Sequence, residues 1–399
     1  MFVLNKILAI YVGPSGYAVI GQFQNFIQMV TSFSGSAINT GVIKYTAEYH
    51  DDIHQQKSVW KTSGTLVLCL SLLFSILIII FRTLLSEYIF GTADYQTVFV
   101  WFAIFLILFN FNSLFLAILN GKKEIIKLVV ANIAGSIFAL IVTSILAIQY
   151  HLYGALVALS IYQALAFIVT LLLCSKAEWF RISYLFGRLD RMMTKKLSAF
   201  VLMALVSAVC VPLSQIVIRD YLIKEYSLEF AGYWEAMIRL SAAYLMLVTT
   251  TLSVYYLPRL SELQEVDEIK KEVYKGYKFI FPLALIGGLT IYLLRDFIIQ
   301  LLFTDSFLPM EKLFLWQMIG DSLKIGSWIL AFLMLSKAMT KLFITTEILF
   351  ALSSVLLTIV GTKIFGFEGV SIAHMVNYAI YWGVMAIVIF RSLNIKRYK

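Results

Sequence analysis

The sequence predicts an all-α polytopic membrane protein, twelve transmembrane helices in two six-helix bundles. Three observations predict it. First, 61% of the 399 residues are hydrophobic and 14% charged, against about 45–50% and about 25% in soluble domains. No soluble core absorbs that much apolar surface. Second, apolar runs recur at the length of a transmembrane helix, about 20 residues. Third, Lys and Arg crowd alternate connections between those runs.

The chain opens on MFVLNKILAIYVGPSG, about eleven apolar-type residues before a Gly-Pro turn. No A-x-A-like cleavage site follows, so a signal peptide is not indicated. The expectation is a truncated first helix. Further spans are predicted at 17–43, 60–82, 96–119, 125–149, 153–175, 196–218, 229–257, 277–303, 312–336, 341–362 and 367–390, which makes twelve with the partial first. Helices are required because backbone groups in lipid must be satisfied within the segment. Barrel strands would appear as alternating segments of about ten residues, and these runs are longer. The N-terminal bundle is expected over 1–175, a cytoplasmic connector over 176–196 and the C-terminal bundle over 197–399.

The connections after even-numbered helices hold Lys44, Lys57 and Lys61, then Lys122, Lys123 and Lys127, then a basic run from Lys176 to Lys196. Arg259, Lys270, Lys271, Lys275 and Lys278, then Lys337 and Lys341, and the tail from Arg391 continue the pattern. The opposite side has little beyond Arg82, Arg219, Lys224 and Lys363. By the positive-inside rule both termini are cytoplasmic. The formal charge of +9 is then a topology signal and not a nucleic-acid footprint. Cys69, Cys174 and Cys210 lie singly in apolar runs and read as small buried hydrophobes, with no disulfide framework and no metal site.

The chain repeats itself loosely. Residues 16–95 open on GYAVIGQFQNF, and residues 232–307 on GYWEAMIRLSA, with the same order of elements after each. Six helices per half implies parallel repeats about an axis along the membrane normal, with a site between them near the midplane.

Charges at membrane depth normally face a protein interior or a watery cavity. Gln317, Asp321, Lys324 and Trp328 are spaced 4, 3 and 4, which places them on one helix face. At about 1.5 Å per residue, Asp321 lies roughly 15 Å from the outer end. Asp321 and Lys324 are i,i+3 neighbours able to pair, as are Glu235 and Arg239 at i,i+4. Lys6 lies about 10 Å below the Gly13-Pro14 turn. Arg295 is nearer the outer end of its helix, and Glu347 is a turn or two into the eleventh. Asn25, Gln28, Ser32, Gly35 and Asn39 form a polar stripe on the second helix, with Lys44 beyond it. Interhelical glue is the alternative role for these groups. Lys6, Arg239 and Lys324 together point to a cationic cavity that attracts an anion, phosphate foremost. His374 reads as packing rather than proton relay. No Walker loop, GxSxG or paired carboxylates on a surface loop occur, so the chain does not read as an enzyme and no cofactor is implied.

GVIKYTAEYHD at 41–51 resembles the segment after the second helix in Wzx-type flippases, nearest in look to O-antigen translocases related to the enterobacterial common antigen flippase. YVGPSG at 11–16, SVYYLPRLSEL at 253–263, LLRDFIIQLLF at 293–303 and GDSLKIG at 320–326 extend the resemblance over essentially the whole chain. It implies the MATE-like fold of the MOP exporter superfamily, in which two six-helix bundles flank a central cationic cavity. It also implies flipping of undecaprenyl-diphosphate-linked oligosaccharide from the cytoplasmic to the periplasmic leaflet of the bacterial inner membrane, driven by an ion gradient. Lys6, Lys44, Arg295, Asp321 and Lys324 fall on matching motif positions. Glu235 and Arg239 rest on spacing alone. Family members usually begin with some twenty more residues, from which this chain departs. The implied partners are the lipid-linked substrate, membrane lipid, an O-antigen polymerase and a chain-length regulator. A MATE drug or cation antiporter would need an acidic, aromatic cavity, and a lipid II flippase two additional helices. An oligosaccharide polymerase would need a long periplasmic loop.

Overall fold

The computed structural model describes residues 2–177, 179–256, 259–260, 263, 265–337 and 339–397, which form helices and short connections with no strand among them. They fall into two compact units, Phe2–Val12 with Val19–Leu213, and Gly13–Ala18 with Ser214–Lys399. Among the described residues, seven helical stretches are long and apolar enough to cross a membrane, or eight if the two helices around Val12 count together. Two of the seven run to 51 and 50 residues, and each is interrupted. The first breaks at His151 (φ 50°, ψ −128°), the second at Gly366 (φ 64°), where a glycine tolerates the left-handed region. These breaks fall where the sequence separates the corresponding spans.

The first unit holds α1 (Phe2–Tyr11), α2 (Gly13–Ser34) from Val19 onward, α3 (Asn39–Glu48), α4 (Ile53–Ile80), α5 (Arg82–Phe90), α6 (Gln96–Gly121), α7 (Ile125–Ser175) and the start of α8 (Arg191–Glu225), while the first turns of α2, Gly13–Ala18, belong to the second unit. Pro14 sits in the first turn of α2, where its missing N–H costs nothing. The expected single helix over 17–43 is instead two. It ends at Ser34, and a Cβ on Gly35 would come within 3.1 Å of Val67 on α4. Helix α6 is the core of this unit, burying Phe99, Phe102, Leu106, Leu114 and Phe115. Helix α7 turns Ile133, Ile137, Ile141 and Ile145 outward at helical spacing, the face a spanning helix gives to lipid. Cys174 is buried as expected, but Cys69 is exposed on α4.

Polar knots tie these helices. Asn110 on α6 donates to Ser34 Oγ and Ser71 Oγ, both at 2.8 Å, joining α2, α4 and α6. Asn112 donates to Gln163 Oε1 at 2.9 Å and accepts from Thr170 Oγ1 at 2.7 Å, joining α6 to α7. Such bonds hold helices together where lipid supplies no hydrophobic drive.

The basic connections of this unit gather at one end. Trp60 Nε1 donates to Thr46 Oγ1 at 3.0 Å, Gln56 Nε2 to Thr46 O at 2.8 Å, and Lys122 Nζ to Gln56 Oε1 at 3.2 Å. Lys196 donates to Tyr49 OH at 2.7 Å, and Trp179 Nε1 to Glu124 Oε1 at 3.1 Å. The connector docks along α4. Ser58 donates to Asp190 Oδ2 at 2.9 Å, and Gly187 N to Thr65 Oγ1 at 3.2 Å. Gly64 permits this approach, because a Cβ there would lie 2.1 Å from Leu185 O. Gly64→Val is therefore expected to unseat the connector, seen as faster proteolytic cleavage within 181–189. The Trp179 bond holds the Glu124 carboxyl below its usual range, and the Ser58 bond does the same for Asp190. Depressed carboxyls stabilise above their unfolded pKa and lose that contribution as pH falls through the folded value. The same proteolysis assay should show a docked connector at neutral pH, loosening only below about pH 4.

The second unit holds the end of α8, then α9 (Leu228–Thr251), α10 (Val266–Leu293), α11 (Arg295–Leu302), α12 (Phe314–Ser336), α13 (Thr340–Phe365) and α14 (Gly369–Arg397). A π-helical turn, Leu252–Tyr256, follows α9. The SVYYLPRLSEL stretch at 253–263 lies partly outside the described residues. Helix α12 is the core here, with Ile329, Leu330 and Met334 clustered with Tyr381 and Met385 of α14, and Ile325 clustered with Leu245 of α9 and Ala284 of α10. Helix α9 carries Glu229, Glu235 and Arg239 and falls outside the apolar set.

Candidate functional site

Two charged groupings with a fully buried member stand out among the described residues of the second unit. The first is built on α8 and α9. Ser227 caps α9, its side chain accepting from Phe230 N at 3.4 Å, and helical spacing then sets Glu235 and Arg239 on one face. Arg239 Nε donates to Glu235 Oε1 at 2.8 Å, the pair expected from the sequence. A third member joins from α8, where Arg219 donates through Nη2 to Glu235 Oε2. Arg219 is 0% exposed and Glu235 5%. One carboxylate faces two guanidinium groups, so the trio keeps one net positive charge. Each arginine also covers an aromatic ring, Trp234 at 5.4 Å for Arg219 and Tyr17 at 5.3 Å for Arg239. The sequence placed Arg219 among the few outward-side charges. In the structure Arg219 is wholly buried, a partner of Glu235.

The second grouping is built on α12. Gln317 Nε2 donates to Ser241 Oγ of α9 at 3.2 Å and to Asp321 Oδ1 at 3.3 Å. Ser371 Oγ of α14 donates to Gln317 Oε1 at 3.4 Å. His374 Nε2 of α14 lies 2.9 Å from Asp321 Oδ1. Asp321 is 0% exposed, and its Oδ2 has no hydrogen-bond partner among the described residues. Gly320 makes the contact possible, since a Cβ there would lie 2.4 Å from His374 Cδ2.

Two expectations change here. The Asp321–Lys324 ion pair does not form among the described residues. Three residues leave two side chains about 60° apart around a helix axis, and the acid turns to α14 instead. His374 is not packing alone but the acid's partner. Lys324 Nζ is held over aromatic faces, 5.1 Å from the Trp328 ring and 5.0 Å from the Tyr378 ring. It remains within electrostatic reach of Asp321 and of Glu347 on α13. Asp321, Lys324, Gln317 and Glu347 are thus brought together, with Glu235 and Arg239 elsewhere in the same unit.

The other candidates are more dispersed. Arg295 begins α11 and its Nε donates to Glu311 Oε1 at 2.9 Å, with the Tyr292 ring 4.8 Å away. That is an ion-paired anchor at a helix end. In the first unit, Lys6 is half-buried on α1, and Lys44 is exposed on α3 with Nζ 5.1 Å from the Tyr45 ring. The polar stripe is split by the break at Gly35. Asn25 is buried and Gln28 exposed, while Ser32 spends its hydroxyl on Gln28 O at 2.8 Å. Asn39, beyond the break, donates to Ser113 Oγ at 2.6 Å. Ser32 also lines a cavity of about 210 Å³ whose other walls, among them Val67, Leu70, Leu197 and Val201, are largely apolar. No group of three or more His, Cys, Asp or Glu fit for a metal occurs among the described residues.

Residues 7–312 match the family model described as polysaccharide biosynthesis protein. The chain belongs to that family. This polysaccharide biosynthesis family member is 32% identical over 391 residues to the Lipid III flippase of Escherichia coli (strain K12), covering 96% of this chain and 92% of the relative. The Lipid III flippase of Shigella flexneri matches to the same extent. In fold it resembles an inward-facing MATE-family multidrug resistance transporter of the MOP superfamily, with a TM-score of 0.79 and 14% identity over 98% of this chain and 94% of that one. A MOP superfamily transporter from Pyrococcus furiosus, described by the reverse polarity of its binding pocket, gives a TM-score of 0.68 and 16% identity over 97% and 91%. The family member is therefore a multi-pass, all-helical membrane protein of MATE-like fold. The relatives are named for moving a lipid and not for a reaction, in keeping with the reading of this chain as no enzyme.

The sequence counted Arg219 as an outward-side charge and His374 as packing, and placed neither among the site residues. Arg219 carries one cue, an arginine at the end of an apolar run. His374 carries only its place inside the last span.

Proposed function

We propose that the chain is a flippase for a lipid-linked saccharide, in particular an undecaprenyl-diphosphate-linked oligosaccharide such as an O-antigen repeat or a related surface polysaccharide. It moves the substrate from the cytoplasmic to the periplasmic leaflet of the inner membrane by alternating access, with both termini cytoplasmic. The halves 1–175 and 197–399 are its two bodies, and 176–196 is their connector. An O-antigen polymerase and a chain-length regulator are the partners expected downstream.

One observation carries the reading. Lys324 sits mid-helix at membrane depth, its ammonium held by Trp328 and Tyr378 faces and not by a bonded carboxylate among the described residues. A cation so held keeps its charge available to a diphosphate. The trio around Glu235 adds one net positive charge in the same unit. Lys6, Lys44 and Arg295 are further candidates for acidic sugar or phosphate groups. Asn25, Gln28, Ser32, Asn39 and Gln317 are candidates for its hydroxyls. The flippase relatives support this reading over a drug antiporter.

Lys324→Ala is expected to abolish surface polysaccharide in a strain lacking the native gene while leaving the protein level in the membrane unchanged. Lys324→Arg should retain part of the activity. Wild-type surface polysaccharide in the alanine variant would rule out Lys324 as the substrate's anchor.

A further inference from the structure

Asp321 is wholly buried and, among the described residues, hydrogen-bonded at Oδ1 and not at Oδ2, and one of its two partners there is a histidine, a residue type able to change charge near neutral pH. We infer that His374 is a positioning residue of the anion site, and that the proton it binds decides how much of the Lys324 charge a diphosphate can use. The inference rests on Lys324 being the anion's anchor.

The argument is one of charge balance. His374 Nε2 lies 2.9 Å from Asp321 Oδ1, and because an ionised carboxylate can only accept, that contact selects the Nε2–H tautomer of the neutral ring and is kept when the ring is protonated. What changes is Nδ1. The His374 side chain is 21% exposed and that of Asp321 0%, so a proton reaches the pair through the ring and not through the acid. With His374 neutral, Asp321 and Lys324 act on each other as opposite charges and partly offset each other. With His374 protonated, the carboxylate is committed to the imidazolium, and Lys324 keeps Glu347 on α13 as its acidic neighbour and so more of its positive charge. Proton uptake therefore strengthens anion binding, and anion binding strengthens proton uptake by the same factor.

The surroundings admit this switch. On α12 the charged groups facing the pair are Asp321 itself and Lys324, with neutral Gln317 beside them. On α14 Tyr378 lies between His374, 4.9 Å between ring centroids, and the Lys324 ammonium. Helix α13 contributes Glu347, which acts on Lys324. Helix α9 contributes Ser241 and Tyr244, the latter within electrostatic reach of Asp321. From α10, Tyr277 bonds Gly326 O at 2.8 Å and adds no charge. His374 is thus the imidazole among these groups.

The test is binding of undecaprenyl diphosphate to the full chain in nanodiscs from pH 5.5 to 8.5. The ligand titrates in this range too, so the reading is the difference between wild type and His374→Gln, which keeps a donor for Asp321 but cannot take up a proton. Wild type is expected to gain about tenfold in affinity over the variant on going from pH 8.5 to 5.5, within the usual range of coupling. Asp321→Asn, which removes the competing carboxylate, should bind tightly at pH 8.5 and differ little from wild type at pH 5.5. If His374→Gln and Asp321→Asn both follow the wild-type pH profile, the inference is overturned. Lys324→Ala separates the two readings. Undiminished binding in that variant overturns the anion site itself, whereas lost binding there with an unaltered His374→Gln profile overturns the switch alone.

Discussion

Glu235→Ala is expected to cost the protein about 3–5 kcal/mol, the usual cost of leaving buried charge without its partner. The structure places Glu235 between two guanidinium groups, Arg219 at 0% side-chain exposure and Arg239 at 15%. Arginine cannot shed its charge as a buried lysine can. Removing the carboxylate therefore leaves two like charges facing each other inside the helix bundle. Arg239 can shift outward, but Arg219 is enclosed. The expected result is a lower unfolding midpoint in detergent and reduced yield in the membrane. Glu235→Gln keeps the shape and one acceptor and should fall between the two. Replacing Arg219 and Glu235 together by Met should recover much of the loss, because Arg239 is then the one cation remaining and it reaches the surface. A Glu235→Ala protein as stable as wild type would mean that the trio contributes nothing to the fold.

The ordering of these effects shows what the sequence carries and what it does not. Spans and breaks are legible because lipid imposes one period and one length on every segment. The Glu235–Arg239 contact is legible because four residues make one helical turn. The third member of that trio is not, because Arg219 meets Glu235 through the packing of α8 on α9, and sequence spacing says nothing of which faces meet. The same limit explains Asp321. Periodicity put Gln317, Asp321, Lys324 and Trp328 on one face, but that face is broad. Its two sides address different neighbours, Ser241 and His374 on one, Tyr378 and Glu347 on the other. The stripe from Asn25 to Asn39 failed for a local reason that was visible. Gly35 within a helical pattern marks a close approach or a helix end, and the structure has both, α2 ending at Ser34 and Gly35 lying against Val67 on α4.

Gly320→Val is expected to disable the protein as thoroughly as the loss of Lys324, by a different route. A Cβ at position 320 would lie 2.4 Å from His374 Cδ2 and 3.1 Å from Met375 Cα. A ring edge can rotate away, but a backbone atom cannot, so α12 and α14 must separate. The 2.9 Å contact between His374 and Asp321 is then lost, and the acid keeps only its bond to Gln317. Overpacking of this kind costs typically about 1–3 kcal/mol. The midpoint of thermal unfolding should fall, and surface polysaccharide should disappear even where folded protein is recovered. A pair of smaller changes separates packing from charge. Gly320→Ala combined with His374→Ala removes the ring that the new methyl group strikes, and it should be more stable than Gly320→Ala alone, since neighbours in contact do not add. It should not regain the pH-dependent binding of undecaprenyl diphosphate. If the double variant regains both, the glycine and the histidine serve helix packing only, and the charge on Lys324 is set by something other than this pair.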